Sequence, residues 1–271
     1  MAVNLGLGIY IYIKNSRSQV NQTFSALLVV IALWTFTFLA LVSAGSPETA
    51  LFWRRLTPVG SSLAASLFLY FSLIFPTRLP KVSALNLPLI FSPGVFFAIA
   101  SVFFDEMIRG IAFTDAAQPF LARPIFGWLY NFYTLYLLLY FLGGLGVLSY
   151  KYFKGQPQER SQIVWVLGGL GGSVLAVITT SLILPVFGVS NLFIFGPAFT
   201  LIAAFFISYA IARYQLLGVE EFLSSGVLVI GITLAIVGTI ACFAFALYGL
   251  LLPLYTILAN LTLGLLVFFN D

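Results

Sequence analysis

Four tyrosines, Tyr130, Tyr133, Tyr136 and Tyr140, follow one another at spacings of 3, 3 and 4 residues, which brings all four phenols onto one face of an α-helix. A hydroxyl stripe on an apolar helix has two uses. It is either an aromatic packing seam, with Trp128 and Tyr130 as members of an interfacial belt, or one wall of an outward-opening ligand cavity. Asn131 stands beside the stripe. Thr179, Thr180 and Ser181, on a later apolar stretch, supply hydroxyls for the same ligand or for backbone groups freed where Pro93, Pro185 and Pro197 bend their helices.

The residue types that are missing narrow the chemistry further. The chain has no histidine, so it supplies no bis-histidine haem ligation, no Ser-His nucleophile and no phospho-accepting histidine. Its single cysteine, Cys242, sits in the apolar run ACFAF and reads as a small hydrophobe. Glu48, Asp105, Glu106, Asp115, Glu159, Glu220 and Glu221 fall in loops or at the ends of apolar stretches, away from the mid-membrane positions that a proton-coupled pump uses. The expectation is a chain with no catalytic residues, metal or cofactor.

The elements that position these side chains are set by composition. Hydrophobic residues make up 61% of the chain and charged residues 7%, far below the roughly 25% charge of soluble domains. Apolar runs near the ~20 residues that cross a bilayer as a helix predict an all-α polytopic transmembrane bundle of about 8–9 spans. They fall at 22–44, 57–76, 84–104, 126–150, 162–186, 191–212, 225–248 and 252–269. A segment at 1–13 reaches only about 20 Å as a helix, so either the first span begins upstream of Met1, which is the favoured expectation, or the segment enters only one leaflet. NLGLGIYIYIKN (4–15) and NLTLGLLVFFND (260–271) share Asn, Leu, Leu and Gly at matching positions, and the match suggests a repeated unit beginning near 252.

Lysine and arginine set the orientation. Lys14, Arg17, Arg78, Lys81, Lys151, Lys154, Arg160 and Arg213 fall on one side, and Arg54, Arg55, Arg109 and Arg123 on the other. The richer side is expected to be cytoplasmic, with the C-terminus inside. No basic run is long enough for nucleic acid, so the expected surroundings are the lipid bilayer.

Two glycine clusters, GGLGVL (143–148) and GGLGG (168–172), lie inside apolar helices and lack the preceding strand of a dinucleotide site. Gly143, Gly144 and Gly146 are expected to face Gly168 and Gly172, the latter two forming a GxxxG pair that permits close helix approach. The longest outer loop (103–124) is either a lid over the tyrosine stripe or a solvated connection. At the inner surface, Arg213, Gly218, Glu220 and Glu221 belong to QLLGVEEFLSS, which reads either as an amphipathic elbow between two spans or as a plain loop.

In order along the chain, KNSRSQVNQTFSALLVVIALW (14–34), WRRLTPVGSSL (53–63), FPTRLPK (75–81), QERSQIVWVLGG (158–169) and YAIARYQLLGVEEFLSSGVL (209–228) make the chain resemble the seven-transmembrane region at the N-terminus of bacterial histidine kinases. The resemblance implies a sensory input, joined at the cytoplasmic side to a kinase, cyclase or other output module and carrying no catalytic residues itself. It divides the chain into a sensor-like membrane region at 1–213 and an elbow plus two further transmembrane helices at 214–271. The chain contains no ATP-binding glycine boxes and no cyclase motif, so catalysis is expected downstream, on a partner, or nowhere. A homodimer or larger membrane complex in the bacterial inner membrane fits this reading. The competing readings are an accessory subunit of a membrane assembly and, behind it, a small-solute carrier.

Overall fold

The computed structural model describes residues 1–77, 79, 86–112, 123–180 and the single positions 196, 199, 200, 203 and 206. Two of the long helices start at serine caps. Ser18 caps α2 (Gln19–Val42), its side chain accepting from Asn21 N. Ser46 does the same from Thr49 N for α3 (Pro47–Ile74), with Pro47 and Glu48 in the first turn, where a missing N–H costs nothing and a carboxylate meets the positive end of the helix dipole. Before them runs the short α1 (Ala2–Lys14). After them come α4 (Leu87–Phe103), a hairpin of β1 (Ile108–Ala112) and β2 (Arg123–Phe126), and α5 (Leu129–Lys154). The apolar helix α6 (Pro157–Ile178) consists of two α-helical parts, Pro157–Val166 and Gly172–Ile178, joined by a π-helical turn, Leu167–Gly171.

Among the described residues, α2, α3, α5 and α6 are long and apolar enough to cross a membrane, while α1 and α4 are shorter. The described residues thus hold four such helices and two shorter ones, while most of the span expected at 191–212 and all of those expected at 225–248 and 252–269 lie outside them. The all-α expectation needs one correction. Part of the 103–124 loop is an antiparallel ribbon pairing Gly110 with Ile125, Ile111 with Pro124 and Ala112 with Arg123, with a bulge between Ile108 and Gly110. The β-branched Ile108 and Ile111 of β1 and Ile125 of β2 favour extended pairing over a solvated connection.

The centre of the bundle is α3, which packs against α2, α4 and α5, while α1 lies on α2. It begins ten residues before the expected start at 57, so Arg54 and Arg55 lie within it rather than in a loop. One apolar core holds Ile11, Phe24, Leu27, Phe68, Phe71, Leu148 and Ile163. A second, toward the hairpin, holds Ala65, Phe97, Met107, Ile108, Tyr133 and Tyr136. Close approach of α2 and α3 depends on Gly60, where an added Cβ would stand 2.6 Å from Trp34 Cβ.

Candidate functional site

The buried face of α5 meets a serine-rich face of α3. In GSSLAAS, Ser61, Ser62 and Ser66 lie within about one and a half turns and are all buried. Tyr133 Oη lies 2.6 Å from Ser61 Oγ. Tyr136 Oη donates to Ser62 O at 2.7 Å and lies 2.8 Å from Ser66 Oγ.

The third wall is α4. Pro93, inside that helix, has no N–H to offer the carbonyl four residues before it, and that carbonyl, Leu89 O, accepts instead from Tyr140 Oη at 3.4 Å. Ser66 Oγ donates to Ile90 O at 3.2 Å. Gly94 makes this approach possible, since a Cβ there would stand 2.4 Å from Ser66 Oγ and 2.8 Å from Tyr136 Oη. The Phe97 ring packs against Tyr133 and Tyr136, with centroids 5.7 and 5.2 Å apart.

The seam continues outward into the hairpin. Tyr130 stacks on Phe126 of β2 at 3.6 Å between centroids. Arg55 forms an ion pair with Asp105 and donates to Ile108 O at 3.1 Å, so α3 holds the base of the ribbon. Gly127 sits where a Cβ would overlap Glu106 O, and Leu129 N donates to that carbonyl at 3.1 Å. Arg54, the residue before Arg55 in α3, is only 8% exposed.

At the opposite end of α5, Lys151 Nζ donates to three carbonyls at the end of α3 and just beyond: Leu73 O at 2.8 Å, and Phe75 O and Thr77 O at 2.7 Å each. The sequence reading placed Lys151 in a surface loop. It is 6% exposed, because α5 runs to Lys154 and turns its last buried position onto the orphan carbonyls of α3.

The four tyrosines therefore do form one stripe, and their hydroxyls and rings meet α3, α4 and β2. Asn131 is exposed and does not join them. Thr179 is exposed, and Thr180 donates to Ala176 O of its own helix at 2.8 Å. Ser181, Arg213, Gly218, Glu220 and Glu221 lie outside the described residues.

The expected facing of the two glycine clusters is corrected. Gly144 shares the face of Leu148 and Lys151, and a Cβ there would meet Phe68 of α3 at 2.6 Å; Gly143 approaches only Leu69, at 3.8 Å, and Gly146 has open space. Gly168 and Gly169 face Phe206, Gly171 approaches α5 at Leu145, and Gly172 opens the second α-helical part of α6. Residues 143 and 146 lie about 100° and 200° around the helix from 144, so one cluster cannot turn all its members to one partner. Sequence reasoning missed Ser61, Ser62, Ser66, Gly94 and Lys151. The run of small residues in GSSLAAS was the available signal for a close polar helix contact.

Long apolar helices, a lipid-facing row of Phe132, Leu135, Leu139 and Leu142 on α5 and a hydroxyl seam behind it define a helical membrane protein. Residues 1–220 match the family described as the N-terminal 7TM region of histidine kinase, and the chain belongs to that family. No curated protein and no solved structure matches it.

Proposed function

We propose that this chain is the sensory input region of a bacterial signal-transduction protein in the cytoplasmic membrane, non-catalytic itself, and that α5 carries the signal between the hairpin and the basic end of the bundle. Residues 1–213 form the sensor-like unit on this reading, and 214–271 the elbow and two further helices that lead toward a kinase or other output module. The observation that carries the reading is that α5 is tied at both ends. Phe126 stacks on Tyr130 at one end and Lys151 holds three α3 carbonyls at the other. A rigid helix fixed this way transmits a shift of the hairpin to the α3 terminus, because packed helices move between discrete arrangements.

The test is autophosphorylation of the native protein, with whatever output module it carries or binds, reconstituted in nanodiscs. Phe126→Ala and Lys151→Met should each shift basal phosphorylation at least threefold, with total protein unchanged. Native membranes in which no kinase or other signalling module is attached to or co-purifies with the chain would sink the reading. Unchanged phosphorylation in both variants would remove α5 as its carrier.

A further inference from the structure

Only Gly155 and Gln156 separate α5 from α6. Two helices of membrane-crossing length joined so tightly place their corner at a membrane surface. The corner carries Lys154, Glu159 and Arg160. Its one acid is turned back onto the chain, because Glu159 Oε2 accepts from Gln156 N at 3.1 Å and lies where a Cβ on Gly155 would stand 2.9 Å from it. Arg160 lies across the end of α5, its Nε donating to Gly155 O at 2.9 Å and its Nη2 to Phe153 O at 3.2 Å. Those bonds use two of the five N–H groups of a guanidinium. Lys154 and Arg160 are both exposed, and neither forms an ion pair with a carboxylate among the described residues.

Apolar surface begins one helical turn deeper. Tyr150 shares the face of Lys154 on α5, and Val164 shares the face of Arg160 on α6, each about 6 Å nearer the middle of its helix. They are 58% and 47% exposed, and Phe153, whose carbonyl holds Arg160, is 73% exposed. Cations at the rim with apolar side chains beneath them match the profile of a phospholipid, which has its phosphate above and its acyl chains below.

We propose that the α5–α6 corner binds one anionic phospholipid. The Lys154 ammonium and the Arg160 guanidinium take its phosphate, and Tyr150, Phe153 and Val164 lie along the first carbons of its chains. Charge chooses the headgroup. A choline headgroup offsets its phosphate with a cation that Lys154 and Arg160 repel, whereas a glycerol headgroup leaves the phosphate charge uncompensated. The two carbonyls already hold Arg160 over the corner, so little side-chain freedom is lost when the lipid arrives. The site is a property of the corner and holds whichever signal, if any, the chain carries.

Native mass spectrometry of the full chain in a nonionic detergent counts bound lipid as phosphatidylglycerol or phosphatidylcholine is added. Each cation beside an anionic headgroup contributes a factor of about five in affinity. The first phosphatidylglycerol should therefore bind at least about tenfold more tightly than phosphatidylcholine. Lys154→Gln should weaken phosphatidylglycerol about fivefold and leave phosphatidylcholine unchanged, and adding Arg160→Gln should abolish the preference. Should the double variant lose monodispersity, Lys154→Gln alone decides. Arg17→Gln, an exposed cation of the α1–α2 connection, should keep the full preference, and excess inorganic phosphate should not displace the lipid. Equal affinity of the parent for the two lipids overturns the site. So does an equal loss in Arg17→Gln, which would assign the preference to general surface charge, and so does displacement by phosphate, which would make the corner a site for a free anion. None of these results touches the sensory reading, which rests on the family and on α5.

Discussion

Replacing Lys151 by Met removes one ammonium and three hydrogen bonds while keeping an unbranched side chain of similar length. All three N–H donors of the ammonium are used, on Leu73 O, Phe75 O and Thr77 O. At roughly 1.5–3 kcal/mol for each bond to a charged group, the gross loss is roughly 4–9 kcal/mol. Against it stands the desolvation of a buried ammonium, which the variant no longer bears and which is several kcal/mol. The net loss should be roughly 2–4 kcal/mol, including the cost of leaving the buried Phe75 carbonyl without a donor. Tryptophan fluorescence in detergent reads the result. At roughly 2–4 °C per kcal/mol, the midpoint should fall by about 5–15 °C. Lys154→Met, three residues on at an exposed position, is the control and should stay within about 1 °C of the parent. A Lys151→Met midpoint equal to the parent, or an equal fall in the control, would refute the claim that this lysine holds the end of α3.

Tyr136→Phe strips the donor from Ser62 O and a partner from Ser66 Oγ, and should cost about 1–3 kcal/mol; Tyr140→Phe, whose bond is 3.4 Å long, should cost less in the same unfolding assay. Gly94→Ala forces Ser66 and Tyr136 apart and should lower the midpoint, whereas Gly146→Ala, with open space around it, should leave it level or raise it, since alanine favours a helix by about 1 kcal/mol. A cysteine at the exposed Ser161 should react with an impermeant maleimide only after the cells are opened, and labelling of intact cells would invert the orientation.

How much of this was legible beforehand depended on whether a residue's role is local. Tyr130, Tyr133, Tyr136 and Tyr140 share a face by spacing alone, so the stripe could be read directly. The start of α3 was also written locally, in the Ser46, Pro47 and Glu48 cap, yet the apolar run beginning near 57 drew attention away from it. Lys151 and Ser173 were not legible. A lysine in the last turn of an apolar helix looks like a headgroup anchor until the end of another helix, over seventy residues away, is known to lie beneath it. Ser173 finds its partners, Phe199 O and Ala203 N, 26 and 30 residues further along the chain, and no periodicity within GGSVLAV carries that information. The glycine clusters failed for a related reason: small residues announce that something comes close, and Gly144 and Gly168 met different partners.

The division of labour on α5 follows from its solvent. Leu135, Leu139 and Leu142 are exposed, and lipid receives them as well as a neighbouring helix would, so burying them would contribute little to association. The face that does choose a partner is the one carrying Tyr133, Tyr136, Gly144 and Lys151, which meets α3 through hydroxyls, close backbone contact and one ammonium. Such contacts are specific because each has a small set of partners: Tyr136 bonds at Ser62 and Ser66, one helical turn apart. Leucines sliding on leucines would tolerate any intermediate offset. A donor that leaves one acceptor must find the next, so contacts of this kind favour a few discrete registers over a continuous slide. On the proposed sensory reading, that discreteness would let a displacement at Phe126 and Tyr130 arrive at Lys151 as a change of arrangement instead of being absorbed gradually along 26 residues of helix.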